Sequence, residues 1–153
     1  MAKFGFNNIV QGVLGNMNEE NEENKESLSK EYSQYLFDNE EIQSGYKLIR
    51  DAIIFTNLRI IFVDKQGATG RKTSFKSIYL SHIVDVEMET AGTGFDDSEI
   101  TITYLTNINR IARHEVLESR KFEFPKQTDI VPLYKFFGNL AMKNRAEINQ
   151  VSV

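Results

Sequence analysis

The sequence predicts a mostly β fold of about seven antiparallel strands in a barrel or sandwich, with helices before and after the strands. In residues 42–124, apolar and polar side chains alternate with a period of two, as in half-buried strands. Turn residues interrupt this run at intervals of about 8 to 12 residues, which is typical of an antiparallel meander. An apolar helical stripe follows the last strand and predicts a C-terminal helix that caps the sheet.

An amphipathic helical stripe lies near the N-terminus. Its apolar positions recur with helical spacing and are Phe6, Ile9, Val10, Val13, Leu14 and Met17. Gly12 and Gly15 each weaken a helix by about 1 kcal/mol relative to alanine, so this helix needs a surface to pack on. That surface is its own domain, another subunit or a membrane. The polar face carries Asn and Gln, without the Lys and Arg that anionic lipids attract.

An acidic stretch and a second helical stripe lead into the strands. Residues 19–26 contain five glutamates, which predicts a solvated linker or an exposed helical turn. The second stripe consists of Leu28, Tyr32, Tyr35 and Leu36. We expect it to end near residues 38–39, where Asp and Asn favour a turn. The predicted organisation is an N-terminal helical segment at 1–38, a β domain at 39–145 and a flexible tail at 146–153.

Each predicted strand places apolar residues at alternate positions or in a short run. The segments are Ile42/Tyr46/Leu48, Ile53-Ile54-Phe55, Ile60-Ile61-Phe62-Val63, Thr73/Phe75/Ser77/Tyr79, Val84/Val86/Met88, Ile100/Ile102/Tyr104 and Phe122/Phe124. Because most intervening positions are polar, one face of the sheet is expected to face solvent. Turns are predicted at Arg50-Asp51, Thr56-Asn57 and Asp64-Lys65-Gln66-Gly67. Residues 106–119 fit either two strands extended into a long hairpin or a loop.

The C-terminal helix is predicted from one strong apolar stripe. Its members are Ile130, Leu133, Phe136, Phe137, Leu140 and Ala141. Thr128 is a suitable N-cap, and Asp129 complements the positive end of the helix dipole. Pro132 falls in the first turn, where its missing N–H removes no helical hydrogen bond. We expect the helix to cover one open end of the sheet, with a frayed polar tail at residues 144–153.

Composition excludes several classes of function. The net charge of −4 argues against a nucleic-acid partner, since that affinity comes from Lys and Arg at phosphates. The chain has no cysteine, which excludes disulfides, Cys-ligated zinc and thiol catalysis. No apolar run approaches the roughly 18 residues of a membrane span. The N-terminal residues show neither a signal peptide nor a myristoylation motif, so we expect a cytoplasmic protein.

No motif for catalysis, metal or cofactor binding is recognised. His82 and His114 are far apart in sequence and lack the paired spacing of a metal site. Asp96, Asp97 and Glu99 lack the register of a calcium loop and predict a polar turn. The glycines form no phosphate-binding loop, and no nucleophile lies beside a base. We therefore expect no catalytic residues, no metal, no cofactor and no enzymatic activity.

One basic segment remains as a candidate binding site. Its cations are Lys65, Arg71, Lys72 and Lys76, and they fall around one predicted hairpin. They are a possible contact for an anion or an anionic lipid headgroup. The alternative is an exposed hairpin whose charges only keep the protein soluble.

Several stretches resemble the bacterial pleckstrin-homology-like (PH-like) domain family. They are Tyr46-Lys47-Leu48-Ile49-Arg50-Asp51, Phe55-Thr56-Asn57 with Arg59, Asp64-Lys65-Gln66-Gly67, Thr69-Gly70-Arg71-Lys72, and Glu89-Thr90-Ala91-Gly92 followed by Asp97-Ser98-Glu99. The N-terminal helices are also similar to those of the family, whereas residues 106–119 match least well. The resemblance implies a PH-like barrel at 39–145, a function not yet characterised, and homo-oligomers. It offers no catalytic residue.

The predicted function is a non-catalytic PH-like interaction module that self-associates as a homo-oligomeric scaffold. The expected oligomer contacts are Phe6, Ile9, Val10 and Val13 of the N-terminal stripe, together with an open strand edge. The expected partners are a further copy of the chain and other proteins. The alternative is an adaptor that binds an anionic membrane surface through the basic hairpin.

Overall fold

A computed structural model of the chain describes residues 20–47, 52–67, 71–92, 97–126 and 128–150. The elements are helix α1 (Glu20–Tyr32), a 3-10 turn (Ser33–Tyr35), strands β1 (Ile42–Lys47), β2 (Ala52–Thr56), β3 (Arg59–Gln66) and β4 (Lys72–Tyr79), a second 3-10 turn (Leu80–His82), strands β5 (Ile83–Glu89), β6 (Ser98–Leu105) and β7 (Leu117–Phe124), and helix α2 (Val131–Asn149). These elements belong to two compact units that divide after Leu80. The N-terminal stripe lies outside the described residues.

The predicted fold class is confirmed. Seven antiparallel strands are described, with a helix before them and a helix after them. They form a four-stranded sheet in the order β1-β2-β3-β4 and a three-stranded sheet in the order β5-β6-β7. The sheets are not closed. Every ladder joins strands that are neighbours in sequence, as expected for a meander.

In the first unit, the central strands are buried on both faces. All five residues of β2 and the first five of β3 are buried, so the expectation of one solvent-exposed face is wrong here. Helix α1 covers one of these faces: its Leu28 and Tyr32 form a core cluster with Ile54 and Ile61. We call this covered side the helix-covered face of the sheet. Strands that are buried on both faces have continuous apolar runs in their sequences, and β2 and β3 show this pattern.

A bulge in β1 changes which side chains share a face. Ile42 lies opposite Thr56 and Ser44 lies opposite Phe55, so Gln43 is an extra residue in the ladder. As a result Ile42 joins the core cluster under α1, whereas the Tyr46 ring packs edge-on against Phe55 with ring centroids 6.1 Å apart. The predicted common face of Ile42 and Tyr46 is therefore wrong.

In the second unit, β6 confirms the predicted alternation. Its residues Ile100, Ile102 and Tyr104 are buried, and the positions between them are half-buried. Residues 106–116 form a loop, and β7 begins at Leu117, opposite Leu105 of β6. Of the two structures left open for this part of the sequence, the loop is therefore the one adopted over residues 106–116.

Helix α2 differs from its prediction at both ends. It begins at Val131, and the Val131 N–H donates to the Asp129 carboxylate at 3.1 Å, so Thr128 is not the N-cap. The helix continues to Asn149. Asn144, expected in a frayed tail, is buried and donates through Nδ2 to the carbonyl of Ile83 in β5 at 2.8 Å. That bond helps to hold α2 on β5.

Gly45 is predicted to tolerate no side chain. A Cβ built at this position would lie against Leu28 Cδ1 of α1 and 2.7 Å from the backbone oxygen of Ile53. We expect Gly45→Ala to lower the free energy of unfolding by about 1–3 kcal/mol, because α1 must lift from the sheet. Urea unfolding followed by circular dichroism measures this change.

The matched control is Gly138→Ala in α2. Its Cβ would meet only Val86 Cγ1, at an ordinary contact distance of 3.8 Å. Alanine has a higher helix propensity than glycine, so this variant should raise the free energy of unfolding by about 0.5–1 kcal/mol. Equal effects of the two substitutions would contradict the close packing of α1 at Gly45.

Candidate interaction surface

A buried ion pair between Glu40 and Arg59 organises one end of the first sheet. The Arg59 guanidinium donates from Nε to Glu40 Oε2 at 2.8 Å and from Nη2 to Oε1 at 2.9 Å. The side chains of Arg59 and Glu40 are 5% and 0% exposed. The Thr56 hydroxyl donates to Oε2 at 2.7 Å, and the Phe37 N–H donates to Oε1 at 2.9 Å. Four donors therefore satisfy this buried carboxylate.

The remaining donors of Arg59 hold neighbouring segments in place. Nη1 donates to the Ser77 hydroxyl of β4 at 2.7 Å, and Nη2 donates to the carbonyl of Tyr35 at 3.1 Å. The Phe37 ring lies over the guanidinium, with its centroid 3.7 Å from Cζ. This distance is that of a cation–π contact. Arg59 thus positions the turn around Tyr35, the residue Phe37 and strand β4 by direct contacts.

Four aromatic side chains around this ion pair remain exposed. Tyr35, Phe37, Phe75 and Tyr79 are 36–51% exposed, and we call them the aromatic surface. The rings of Tyr35 and Phe75 stack with centroids 4.3 Å apart, and Phe75 also contacts the buried Tyr32 ring at 6.3 Å. Tyr79 lies opposite Arg59 in the β3–β4 ladder. Large rings that share exposed surface are typical of binding sites.

The aromatic surface borders an edge strand. In the described part of the chain, β4 pairs only with β3, so its outer edge carries no ladder partner there. Arg71, Lys72 and Lys76 are exposed along this strand, and β4 contains no acidic residue. An edge of this kind offers backbone donors and acceptors to another strand, while its lysines discourage indiscriminate pairing.

The structure separates the four cations predicted as a lipid contact. Lys65 lies in β3 on the helix-covered face and pairs with Glu31 of α1 at 3.1 Å. The hydrogen bond to that carboxylate raises the pKa of Lys65. Lys72 and Lys76 lie opposite Gln66 and Phe62, on the other face of the sheet. Lys65 was expected in a turn, but β3 continues to Gln66. Contact of any of these residues with an anion remains a prediction.

The remaining residues considered in the sequence analysis give no candidate site within the described ranges. Phe6, Ile9, Val10 and Val13 lie outside the described residues. His82 approaches the Ser81 hydroxyl through Nδ1 at 2.8 Å, and His114 accepts a bond from Asn107 at its backbone oxygen. Across the residues that the structure describes, no three His, Asp or Glu side chains are placed to hold a metal ion. Within the same ranges, no helix has the length and apolar character needed to cross a lipid bilayer.

The loop between β6 and β7 exposes further apolar residues. Ile108 is 98% exposed, and Ile111 and Val116 are also exposed. Asn107 holds the base of the loop: its Oδ1 accepts from the Val116 N–H at 2.8 Å and its Nδ2 donates to the carbonyl of His114 at 2.9 Å. The exposed apolar residues are therefore presented by a loop with internal hydrogen bonds.

Sequence reasoning missed the aromatic surface. The alternation in β4 assigned Phe75 and Tyr79 to the apolar face, yet both are exposed, while Ile78 on the opposite face is buried. The available signal was Ser77 between the two rings, since serine is found mostly at exposed positions. Tyr35 was assigned to a helical stripe, but α1 ends before it, at Tyr32.

The chain matches the family described as bacterial PH domain over residues 8–141. It is 40% identical over 93 residues to the uncharacterised protein YjqA of Bacillus subtilis, a match that covers 61% of this chain and 72% of that protein.

Solved structures give the same result. A protein with a pleckstrin-homology domain from Shewanella loihica shares 34% identity with a TM-score of 0.59, over 77% of this chain and 93% of that one. A pleckstrin homology domain from Shewanella amazonensis shares 36% identity with a TM-score of 0.60, over 83% and 95% of the two chains. The matches bear out the resemblance inferred from sequence.

The Glu40–Arg59 pair is predicted to dominate the acid sensitivity of the first unit. Burial raises the pKa of Glu40, but hydrogen bonds from Arg59, the Phe37 N–H and Thr56 outweigh it and leave this pKa below its ordinary value of 4.5. We expect Glu40→Gln to lower the free energy of unfolding by about 3–5 kcal/mol at pH 7, because it leaves the buried charge of Arg59 without a counter-charge. Exposed Glu41→Gln is the control and should change stability by less than about 0.5 kcal/mol.

The pH dependence follows from the sign of the pKa shift. Because the folded pKa is depressed, ionised Glu40 stabilises the fold fully above pH about 4.5, and this stabilisation is lost as the pH falls through the folded pKa. The stability difference between the natural chain and Glu40→Gln should therefore narrow in acid. Urea titrations at a series of pH values measure this stability difference. A difference that stays constant down to pH about 2 would contradict the lowered pKa of Glu40.

Proposed function

Because this chain belongs to the bacterial PH domain family, we propose that it is a non-catalytic interaction module that self-associates as a homo-oligomeric scaffold. One observation carries the proposal: an exposed aromatic surface borders the outer edge of β4, which has no ladder partner among the described residues. Both features suit contact with another protein chain. Neither supplies a nucleophile, a general base or a metal ligand set.

The edge and the rings contribute in different ways. A strand added to β4 gains hydrogen bonds from backbone groups, which any extended segment can make. The rings add apolar contact area with few rotatable bonds, so little side-chain entropy is lost on binding. Arg59 further restrains the Phe37 ring and the backbone of Tyr35, which lowers the entropy lost on binding again.

The expected partners are a further copy of the chain and other proteins. The net charge of −4 disfavours nucleic acid. The proposal needs no cofactor. A chain without cysteine suits a reducing compartment, and we place the module in the cytoplasm on that ground.

A second candidate function is an adaptor for anionic membrane surfaces. The observation that favours it is the exposure of Arg71 and Lys72 at the start of β4. Lys65 contributes less than its sequence position suggests, because Glu31 neutralises it. Two or three exposed cations attract anionic lipid only weakly, since each contributes about 1 kcal/mol.

Self-association is tested by native mass. Size exclusion with light scattering should give a discrete multiple of the 17.6 kDa chain. The mass should be unchanged between low and high salt, because apolar and backbone contacts resist screening. Ile9→Asp with Val13→Asp should shift the protein toward monomer, since the charges fall on the predicted apolar stripe.

The control places two charges on the polar side of the same segment. Asn7→Asp with Gln11→Glu keeps the spacing of four residues but should leave the native mass unchanged. A natural chain that is monomeric at every concentration would refute the scaffold. An oligomer that both variants leave intact would keep the scaffold and exclude the stripe as its contact.

The lipid candidate has its own test. Sedimentation with vesicles of phosphatidylcholine, with and without phosphatidylglycerol, measures binding at low and high salt. If the candidate is right, Arg71→Glu with Lys72→Glu should weaken binding to the anionic vesicles about tenfold or more. Lys25→Glu with Lys30→Glu makes the same charge change on α1 and should leave binding intact. Full binding by the first variant excludes this site.

A further inference from the structure

We propose that the outer edge of β4 binds an extended segment of another protein in which acidic and apolar residues alternate. The segment adds a strand to the first sheet, with its acidic side chains beside Lys72 and Lys76 and its apolar side chains beside Phe75 and Tyr79. This inference rests on the interaction module proposed above. It names what the β4 edge binds and leaves self-association to the N-terminal stripe.

The backbone groups of β4 are the first observation that points to an added strand. The Leu80 N–H donates to the carbonyl of Leu58 at 3.1 Å, which continues the β3–β4 ladder by one pair. Bonded and non-bonded pairs alternate along an antiparallel ladder, so the even-numbered residues of β4 bond to β3. The N–H and C=O groups of Thr73, Phe75 and Ser77 therefore point away from β3. Among the described residues, none hydrogen-bonds to these backbone groups.

The two faces of β4 differ in their chemistry, which defines the sequence of the partner. Phe75 and Tyr79 lie on the helix-covered face, whereas Lys72 and Lys76 lie on the other face, and all four are exposed. Side chains also alternate along an added strand, so each of its residues lies beside either the rings or the lysines. Opposite charges on neighbouring strands stabilise the pair, and so do contacts between apolar residues and aromatic rings. A segment that alternates acidic with apolar residues is therefore favoured on both faces.

The other charges near β4 do not reverse this preference. Asp64 of β3 lies opposite Ser74 on the lysine face, and its carboxylate accepts a hydrogen bond from the Gln66 side chain at 3.3 Å. Asp64 is one strand further from the partner than the lysines, a difference of about 5 Å, so the lysines act on the partner more strongly. On the ring face, Lys65 is paired with Glu31. The lysine face thus selects an acidic partner strand.

Strand β5 of a second copy has the same alternation but is a poor partner. Its residues 84–89 read VDVEME. The ladder between β5 and β6 is irregular at Val84, and the Val84 carbonyl accepts a hydrogen bond from Arg145 of α2. The Val86 N–H donates to the Asp85 carboxylate at 2.9 Å. A bulge and backbone groups that already have partners blunt an edge, so we assign the β4 edge to a segment of another protein.

Synthetic peptides test this assignment directly. The probe is a fluorescein-labelled peptide in which four valines alternate with three glutamates, and its control has lysines in place of the glutamates. Fluorescence anisotropy measures the binding of each peptide to the full chain. The glutamate peptide should bind at least about tenfold more tightly than the lysine peptide, because only its charges are opposite to those of β4. Equal affinities would overturn the proposal.

Reversing the charges of β4 should reverse the preference. In Lys72→Glu with Lys76→Glu, the lysine peptide should bind more tightly than the glutamate peptide. The control, Lys25→Glu with Lys30→Glu, makes the same charge change at exposed positions of α1 and should keep the natural preference. Circular dichroism verifies that each variant is folded. A natural preference that survives charge reversal on β4 would place the peptide elsewhere and overturn the proposal.

Methylation of the peptide backbone tests whether the peptide adds as a strand. Only alternate N–H groups of a strand point to one neighbour: the valine N–H groups in an antiparallel addition and the glutamate N–H groups in a parallel one. N-methylation of one set should therefore weaken binding about tenfold or more, and N-methylation of the other set should not. Two methylated peptides that bind as well as the parent, or that are weakened equally, would exclude strand addition.

Native mass separates this inference from self-association. A discrete oligomer that does not bind the glutamate peptide overturns the inference and leaves self-association standing. A monomer that binds the peptide through the β4 edge keeps the inference and refutes the scaffold. An oligomer whose native mass falls as the peptide binds has a second copy at this edge, and that result would overturn the assignment to another protein.

Discussion

The buried pair of Glu40 and Arg59 is the contact on which the first unit depends. It joins the turn before β1 to the start of β3, and Arg59 extends the contact to β4 through Ser77. Side chains alternate along a strand, so a slip of one residue between β3 and β4 would turn Ser77 to the other face. It would turn Phe75 and Tyr79 with it. The Arg59–Ser77 hydrogen bond therefore forms only in the register that creates the aromatic surface.

The same pair explains how large rings stay at the surface. Phe37 covers the guanidinium, and the carbonyl of Tyr35 accepts one of its N–H groups. The backbones of Tyr35 and Phe37 are both hydrogen-bonded to the ion pair, so displacing this segment would leave a buried charge with one partner fewer, which is costly. The backbone that carries two of the rings is thus positioned before any partner arrives. A surface arranged in advance loses less entropy on binding than one that forms during the encounter.

Sequence reasoning recovers what depends on local pattern and misses what depends on distant pairing. The strand run, the apolar stripe of α2 and the family stretch around Phe55-Thr56-Asn57 were all visible as patterns. Glu40 lies 19 residues before Arg59, and no spacing rule joins them. The bulge at Gln43 reversed the face assigned to Tyr46, because one extra residue inverts the alternation. Nothing in the period of β4 indicates that it is an edge strand.

The lysines of β4 give the edge selectivity. An edge strand with exposed aromatic rings pairs readily with other extended chains, and charged side chains along it oppose such pairing. Lys72 and Lys76 lie on the face opposite Phe75 and Tyr79, so charge and rings do not compete for one partner surface. A basic or neutral partner segment would bring no negative charge to lie beside these lysines. A partner that presents acidic side chains to the lysine face and apolar side chains to the ring face is therefore favoured over a basic or neutral one.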